Sequence, residues 1–140
     1  MFAGKKHRYE VRVYFEDTDA GGIVYHATYL RFAERARSEC LRDLGIAHAE
    51  LVARHGIFFV VRRAKLDYLR PARLDDLLVV ETEVLSVGGA SASLRQSFYR
   101  RGETAALVLL TVALASVGCG DQRPARLPAA WRTPLAALVE

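Results

Sequence analysis

Three carboxylates, Glu16, Asp17 and Asp19, fall within four positions of YFEDTDAGGIVYHATY, just ahead of a long helical pattern, and Gly21 and Gly22 follow them. A carboxylate in a loop can act as general base or as nucleophile, and glycines adopt backbone angles closed to other residues. The first N–H groups of a helix have no partner within it and carry partial positive charge, so they suit an oxygen that becomes anionic during acyl transfer. Hydrolysis of a thioester needs little more: a positioned base contributes about 10² to 10⁴ in rate and one oxyanion donor about 10² to 10³. The same residues also suit a plain helix cap and dipole partner. Three carboxylates exceed what one cap requires, and spacing alone does not choose among them.

The elements that must position this loop are legible from period. Tyr9, Val11 and Val13 alternate with charged residues, which predicts a strand over Arg8 to Tyr14 and a loop over Glu16 to Gly22. From Thr28 the period becomes helical: Tyr29, Ala33, Ala36, Cys40 and Leu44 share a face with Phe32 and Leu41 beside it, and Gly45 ends the run. Ala33 and Ala36 let a sheet approach the helix closely. Ala47 to His55 reads as a shorter helix closed by Gly56. Four strands follow, Ile57 to Leu69, Leu77 to Val87, Ser91 to Arg101 and Thr104 to Val117, with turns at Pro71 to Asp76, Gly88-Gly89 and Gly102. Short turns imply antiparallel neighbours. In the last strand both alternating sets are largely apolar, which predicts cover on both faces by helix, partner sheet or partner subunit. A short helix is expected around Ala129 to Val139, interrupted by Pro134. The order predicts an α+β chain, a single domain over 1–140, in which a five-stranded antiparallel sheet wraps one long central helix.

Composition narrows the class. The chain has 140 residues, 51% hydrophobic and 26% charged, which suits one globular core and leaves no polar tract to stay disordered. MFAGKKHRYE offers no apolar run for a signal peptide, and Ala105 to Val117 is too short to span a bilayer, so a cytoplasmic protein without a transmembrane segment is expected. Of the 20 basic residues only Lys5, Lys6 and Lys65 are lysines, and the net charge of +4 favours an anionic partner. Because the charges are scattered, phosphates on a small ligand fit better than nucleic acid. Cys40 and Cys119 match no ligand spacing and are expected to stay reduced, and no metal site is expected.

The run VRVYFEDTDAGGIVYHATYLRFAERARSECLRDLGI resembles the YbgC-type acyl-CoA thioesterases, relatives of 4-hydroxybenzoyl-CoA thioesterase, and FFVVRRAKLDYLRPARLDDLLVVETEV is similar to the same subfamily. The resemblance implies the hotdog fold, a homodimer assembling to a homotetramer with sites at subunit interfaces, an acyl-CoA substrate and no cofactor. It puts Asp19, the second aspartate of EDTDAGG, in the catalytic position, as nucleophile through an acyl anhydride or as base for water. His26 then stands beside the thioester, assisting through its backbone N–H or its imidazole, and Tyr25 serves as wall of the substrate site.

Two departures from the family pattern bear on mechanism. Relatives often read VYYEDTD, whereas this chain has Phe15 and so lacks that phenol. A basic hairpin of 4-hydroxybenzoyl-CoA thioesterase is replaced by Val87, Gly88, Gly89 and Ala90, which shifts candidate phosphate contacts to Arg62, Arg63, Arg123 and Arg126. Glu34 and Glu39, flanking Arg35 and Arg37, are expected in ion pairs on an exposed helix face. The alternative function is a module that binds acyl carrier protein or lipid-synthesis enzymes with little turnover. A hydroxyacyl-thioester dehydratase would need a different His and acid spacing on the helix.

Overall fold

Alternating and helical patterns resolve into one sheet and three helices in the computed structural model, which describes residues 1–140. In chain order these are β1 (Phe2–Ala3), β2 (Lys6–Arg12), a 3-10 turn (Phe15–Asp17), α1 (Thr28–Asp43), α2 (His48–His55), β3 (Ile57–Tyr68), β4 (Leu77–Val87), β5 (Ser91–Arg100), β6 (Ala106–Gly118) and α3 (Ala129–Ala136). All strand pairs are antiparallel, in the order β1-β2-β4-β5-β6-β3. This is the hotdog arrangement, with a sixth strand where five were expected. The addition is the two-residue β1, which folds back on β2 through Gly4 at φ +63° and is too short to show a period.

The first long strand also starts and stops earlier than its alternation suggests. Val13 leaves β2 to exchange main-chain hydrogen bonds with Asp75 and Asp76 in the turn before β4, and Tyr14 leads into the 3-10 turn. In β6, Leu110, Val112 and Leu114 are buried on the face toward α1, while Thr111 on the other face is exposed. Within one chain, therefore, only one face of β6 is fully covered.

The core lies between α1 and the sheet. Tyr29, Phe32, Ala33, Ala36 and Cys40 are buried along α1, as the helical face predicts, and the first four join one apolar cluster with Leu78, Val80 and Val84 of β4 and Leu94 and Phe98 of β5. The small Ala33 and Ala36 leave room for a polar pin. Gln96 of β5, fully buried, donates through Nε2 to the Ala33 carbonyl at 2.9 Å and to Thr82 Oγ1 at 3.1 Å, and its Oε1 accepts from Arg37 at 3.0 Å. Burying an amide is tolerable only when it is paired in this way. α1 packs across β2 and β4, and β3 at the far edge bonds to β6 alone. A groove is left between the helix entrance and the end of β3. No helix is long and apolar enough to cross a membrane.

Candidate active site

The three carboxylates have different surroundings. Asp17 turns back, its Oδ2 accepting the Tyr14 N–H at 2.8 Å, while the Asp17 N–H donates to the Tyr14 carbonyl at 3.0 Å. It is therefore the cap of the 3-10 turn. Glu16 is exposed and forms no hydrogen bond or ion pair within the chain. Asp19 accepts the Gly21 N–H through Oδ1 at 2.8 Å, and its own N–H and carbonyl close a tight turn with Ile23 (2.9 Å) and Gly22 (3.1 Å). Gly22 sits at φ +78°, and a Cβ on Gly21 would come within 3.2 Å of Asp19 Oδ1, so both glycines follow from how closely the loop winds around this carboxylate. The second Asp19 oxygen has no partner in the chain.

The loop is stapled at both ends before it enters α1. Val24 N–H donates to the Ala72 carbonyl at 2.9 Å, Ile23 bridges to Arg73, and Tyr25 N–H donates to the Asp17 carbonyl at 2.9 Å. Thr28 N–H then reaches the Tyr25 carbonyl at 2.9 Å. The N–H groups of His26 and Ala27 donate to no atom of the chain, and no side chain caps the helix at Ala27. Main-chain donors, those of His26 and Ala27 among them, are thus free at the entrance of a 16-residue helix, where the dipole is positive.

Asp19 and His26 line one cleft of about 420 Å³ with Tyr29, Tyr68, Leu69, Arg70 and Pro71. The Tyr68 hydroxyl donates to the His26 carbonyl at 2.9 Å. Tyr29 is buried, which pushes its phenol above the ordinary tyrosine range, and its oxygen accepts the Ala72 N–H at 3.3 Å. Behind the wall, Arg100 donates to Asp76 at 3.0 Å and to the Pro71 carbonyl at 3.1 Å. The hydrogen bond to Asp76 holds the Arg100 guanidinium above its usual range. That strut fixes the turn from which Leu69, Arg70 and Pro71 project.

Of the residues singled out from sequence, Asp19 and His26 are brought together and Tyr25 is not a lining residue: its ring lies 4.4 Å from the His26 ring, centre to centre. Arg62 and Arg63 sit at a bulge of β3, six and five residues upstream of Tyr68, and Arg123 and Arg126 lie in the segment between β6 and α3. None of the four lines the cleft; its cation is Arg70, which sequence reasoning missed along with Tyr29 and Tyr68. Phe15 is 82% exposed, outside the cleft. Glu39 pairs with Arg42 at 3.4 Å, as the exposed helix face suggests, but Glu34 accepts from Ser38 at 3.0 Å, and Arg37 turns inward to Gln96. Burial lowers the Arg37 guanidinium below its usual range, and it edges a second, smaller cavity of about 190 Å³ with Cys40, Phe59 and Leu94. Both cysteines are free.

The chain is similar to known proteins in sequence and in fold. Residues 21–106 match the model of the thioesterase superfamily. The acyl-CoA thioesterase YbgC of Haemophilus influenzae is 48% identical over 120 residues, covering 86% of this chain and 87% of that protein. The acyl-CoA thioester hydrolase YbgC of Escherichia coli is 44% identical over 124 residues, covering 86% and 89%. A probable thioesterase from Bartonella henselae superposes with a TM-score of 0.81 at 38% identity, over 88% of this chain and 99% of that one.

Proposed function

The chain belongs to the thioesterase superfamily, among the relatives of YbgC, and we propose that it hydrolyses acyl-CoA thioesters to free CoA and a carboxylic acid, with Asp19 as nucleophile or general base. The observation that carries this reading is the pairing, in one cleft, of a carboxylate with a free oxygen and His26, whose main-chain N–H is free at the helix entrance. A thioester lying between them presents its carbonyl oxygen to the His26 and Ala27 N–H groups and its carbonyl carbon to Asp19 or to a water that Asp19 deprotonates. The C–O bond forms, the C–S bond breaks and the departing thiolate takes up a proton; where Asp19 is the nucleophile, water then cleaves the acyl anhydride, releasing the carboxylic acid and restoring the Asp19 carboxylate. The His26 imidazole, which borders the same cleft, relays that proton. Asp17, as the turn's cap, is not needed for these steps.

The pantetheine arm separates the thioester from the nucleotide, so phosphate contacts need not line the cleft. Arg70 serves the near end, and Arg62, Arg63, Arg123 and Arg126 are the candidate contacts farther out. The same reading takes the chain as a homodimer that pairs into a homotetramer in the cytoplasm. The assembly is supported by the 12-residue edge of β3, which has a strand on one side only and carries exposed Val61 and Tyr68, with exposed Leu69 just beyond its end. Free-thiol release from a panel of acyl-CoAs and acyl carrier proteins tests the activity. Release from at least one acyl-CoA is expected, and no release from any substrate would overturn the reading. Sedimentation tests the assembly: a monomer at working concentration would contradict it.

A further inference from the structure

The peptide group that joins His26 to Ala27 is held from one side only. Leu30 N–H, which would otherwise reach the His26 carbonyl, donates to Ala27 at 3.2 Å, so no helical donor meets the His26 oxygen. The donor it has comes from 42 residues later: the Tyr68 hydroxyl, at 2.9 Å, from the last position of β3. Tyr68 is placed by an aromatic relay out of the core. Its ring meets Tyr29 edge-on at 5.8 Å, and Tyr29 meets Phe98 at 5.3 Å, where Phe98 is fully buried. Yet Tyr68 itself is 50% exposed and its ring borders the cleft, so its contribution to the core is small.

A trans peptide is planar and fixes its C=O and N–H in opposite directions. A donor on the His26 oxygen therefore fixes where the Ala27 N–H points. It also polarises the peptide, which strengthens the next hydrogen bond in the chain by about 10–30% on condensed-phase estimates and makes that N–H a better donor. The Ala27 N–H is among those that the chain leaves free.

We propose that Tyr68 is a positioning residue for thioester hydrolysis, its hydroxyl holding and polarising the His26–Ala27 peptide so that the Ala27 N–H is preorganised for the carbonyl oxygen. This rests on the reading of the helix entrance as the oxyanion site. Preorganisation acts most on the developing charge and only weakly on the bound carbonyl, so it changes turnover far more than ground-state binding.

The test is Tyr68→Phe, which removes one oxygen and keeps the ring. Expected is a roughly tenfold fall in kcat with KM within about twofold of the wild type. A purely structural role would not give the spectroscopic counterpart: with an acyl-CoA labelled at the thioester carbonyl and bound to Asp19→Asn, the isotope-edited infrared stretch is expected below its solution value. In Asp19→Asn/Tyr68→Phe it moves back toward that value. Unchanged kcat in Tyr68→Phe, or a stretch equally lowered with and without the hydroxyl, overturns the proposal. A stretch not lowered even with Tyr68 in place refutes the oxyanion reading beneath it, and wild-type turnover by Asp19→Asn alone strikes at the carboxylate instead.

Discussion

Replacing Gln96 by leucine removes the polar pin between α1 and the sheet while nearly conserving volume. Three hydrogen bonds disappear: to the Ala33 carbonyl, to Thr82 Oγ1 and from Arg37. At about 1 kcal/mol each in net terms the loss is about 3 kcal/mol. The bond from the charged Arg37 is worth more than the mean. That excess is offset because the guanidinium borders a cavity and is only partly buried, so it regains solvent. Thr82, 2% exposed, has no such outlet. For a chain of this length about 3 kcal/mol corresponds to a midpoint roughly 10 °C lower. Urea unfolding of wild type and Gln96→Leu at one protein concentration is the assay, since subunit association would otherwise enter the comparison. A loss below about 1 kcal/mol would refute the reasoning, showing that the apolar isostere replaces the network at little cost.

Other perturbations reach the cleft and the surface. Arg100→Met cuts the strut to Asp76 and Pro71; with the side chain 30% exposed, about 1–2 kcal/mol of stability is expected to go, and kcat/KM to fall several-fold as the Leu69–Pro71 wall loosens. Melting and steady-state kinetics on the same preparation check both. Burial pushes the Cys40 thiol up to about 12, whereas Cys119 is exposed, so a thiol reagent at about pH 8 is expected to label one cysteine in the native chain and both after denaturation. The N-terminal ammonium, and after it His7, hold the Asp43 carboxyl below the usual carboxylate range. A lowered folded value means that Asp43 stabilises the fold above about pH 4 and loses that contribution as the pH falls through the lowered value. Asp43→Asn should therefore flatten part of the acid-side decline in urea midpoints, and an unchanged slope would contradict it.

Local features were legible and distant pairings were not. The 3.6-residue period marked the buried face of α1 residue by residue, and Gly45 and Gly56, at φ +78° and +60°, stand where a helix stop needs a left-handed residue. The four strands after α2 followed from alternation and turn residues. Strand order was a different matter: nothing local says that β3 pairs with β6 and so forms an edge, because that pairing depends on the whole sheet closing. Arg37 read as one more exposed arginine until Gln96, from a strand 59 residues away, met it. In the site, residue types pointed to a carboxylate beside a helix entrance, but Asp17 and Asp19 differ only in what their oxygens touch. Tyr68 and Arg70 arrive from the far end of β3 and the turn after it, through contacts that no spacing in the loop could announce.

The distinction among the three carboxylates is also where the account is most exposed. Steady-state thiol release should be measured on one acyl-CoA for Asp19→Asn, Asp17→Asn and Glu16→Gln, each beside the wild type. The geometry predicts a fall in kcat of about 10² to 10⁴ for Asp19→Asn with little change in KM, a lower melting point and most of its turnover for Asp17→Asn, and near wild-type behaviour for Glu16→Gln. Turnover retained by Asp19→Asn, or lost to the same degree in Asp17→Asn with its fold intact, would contradict it.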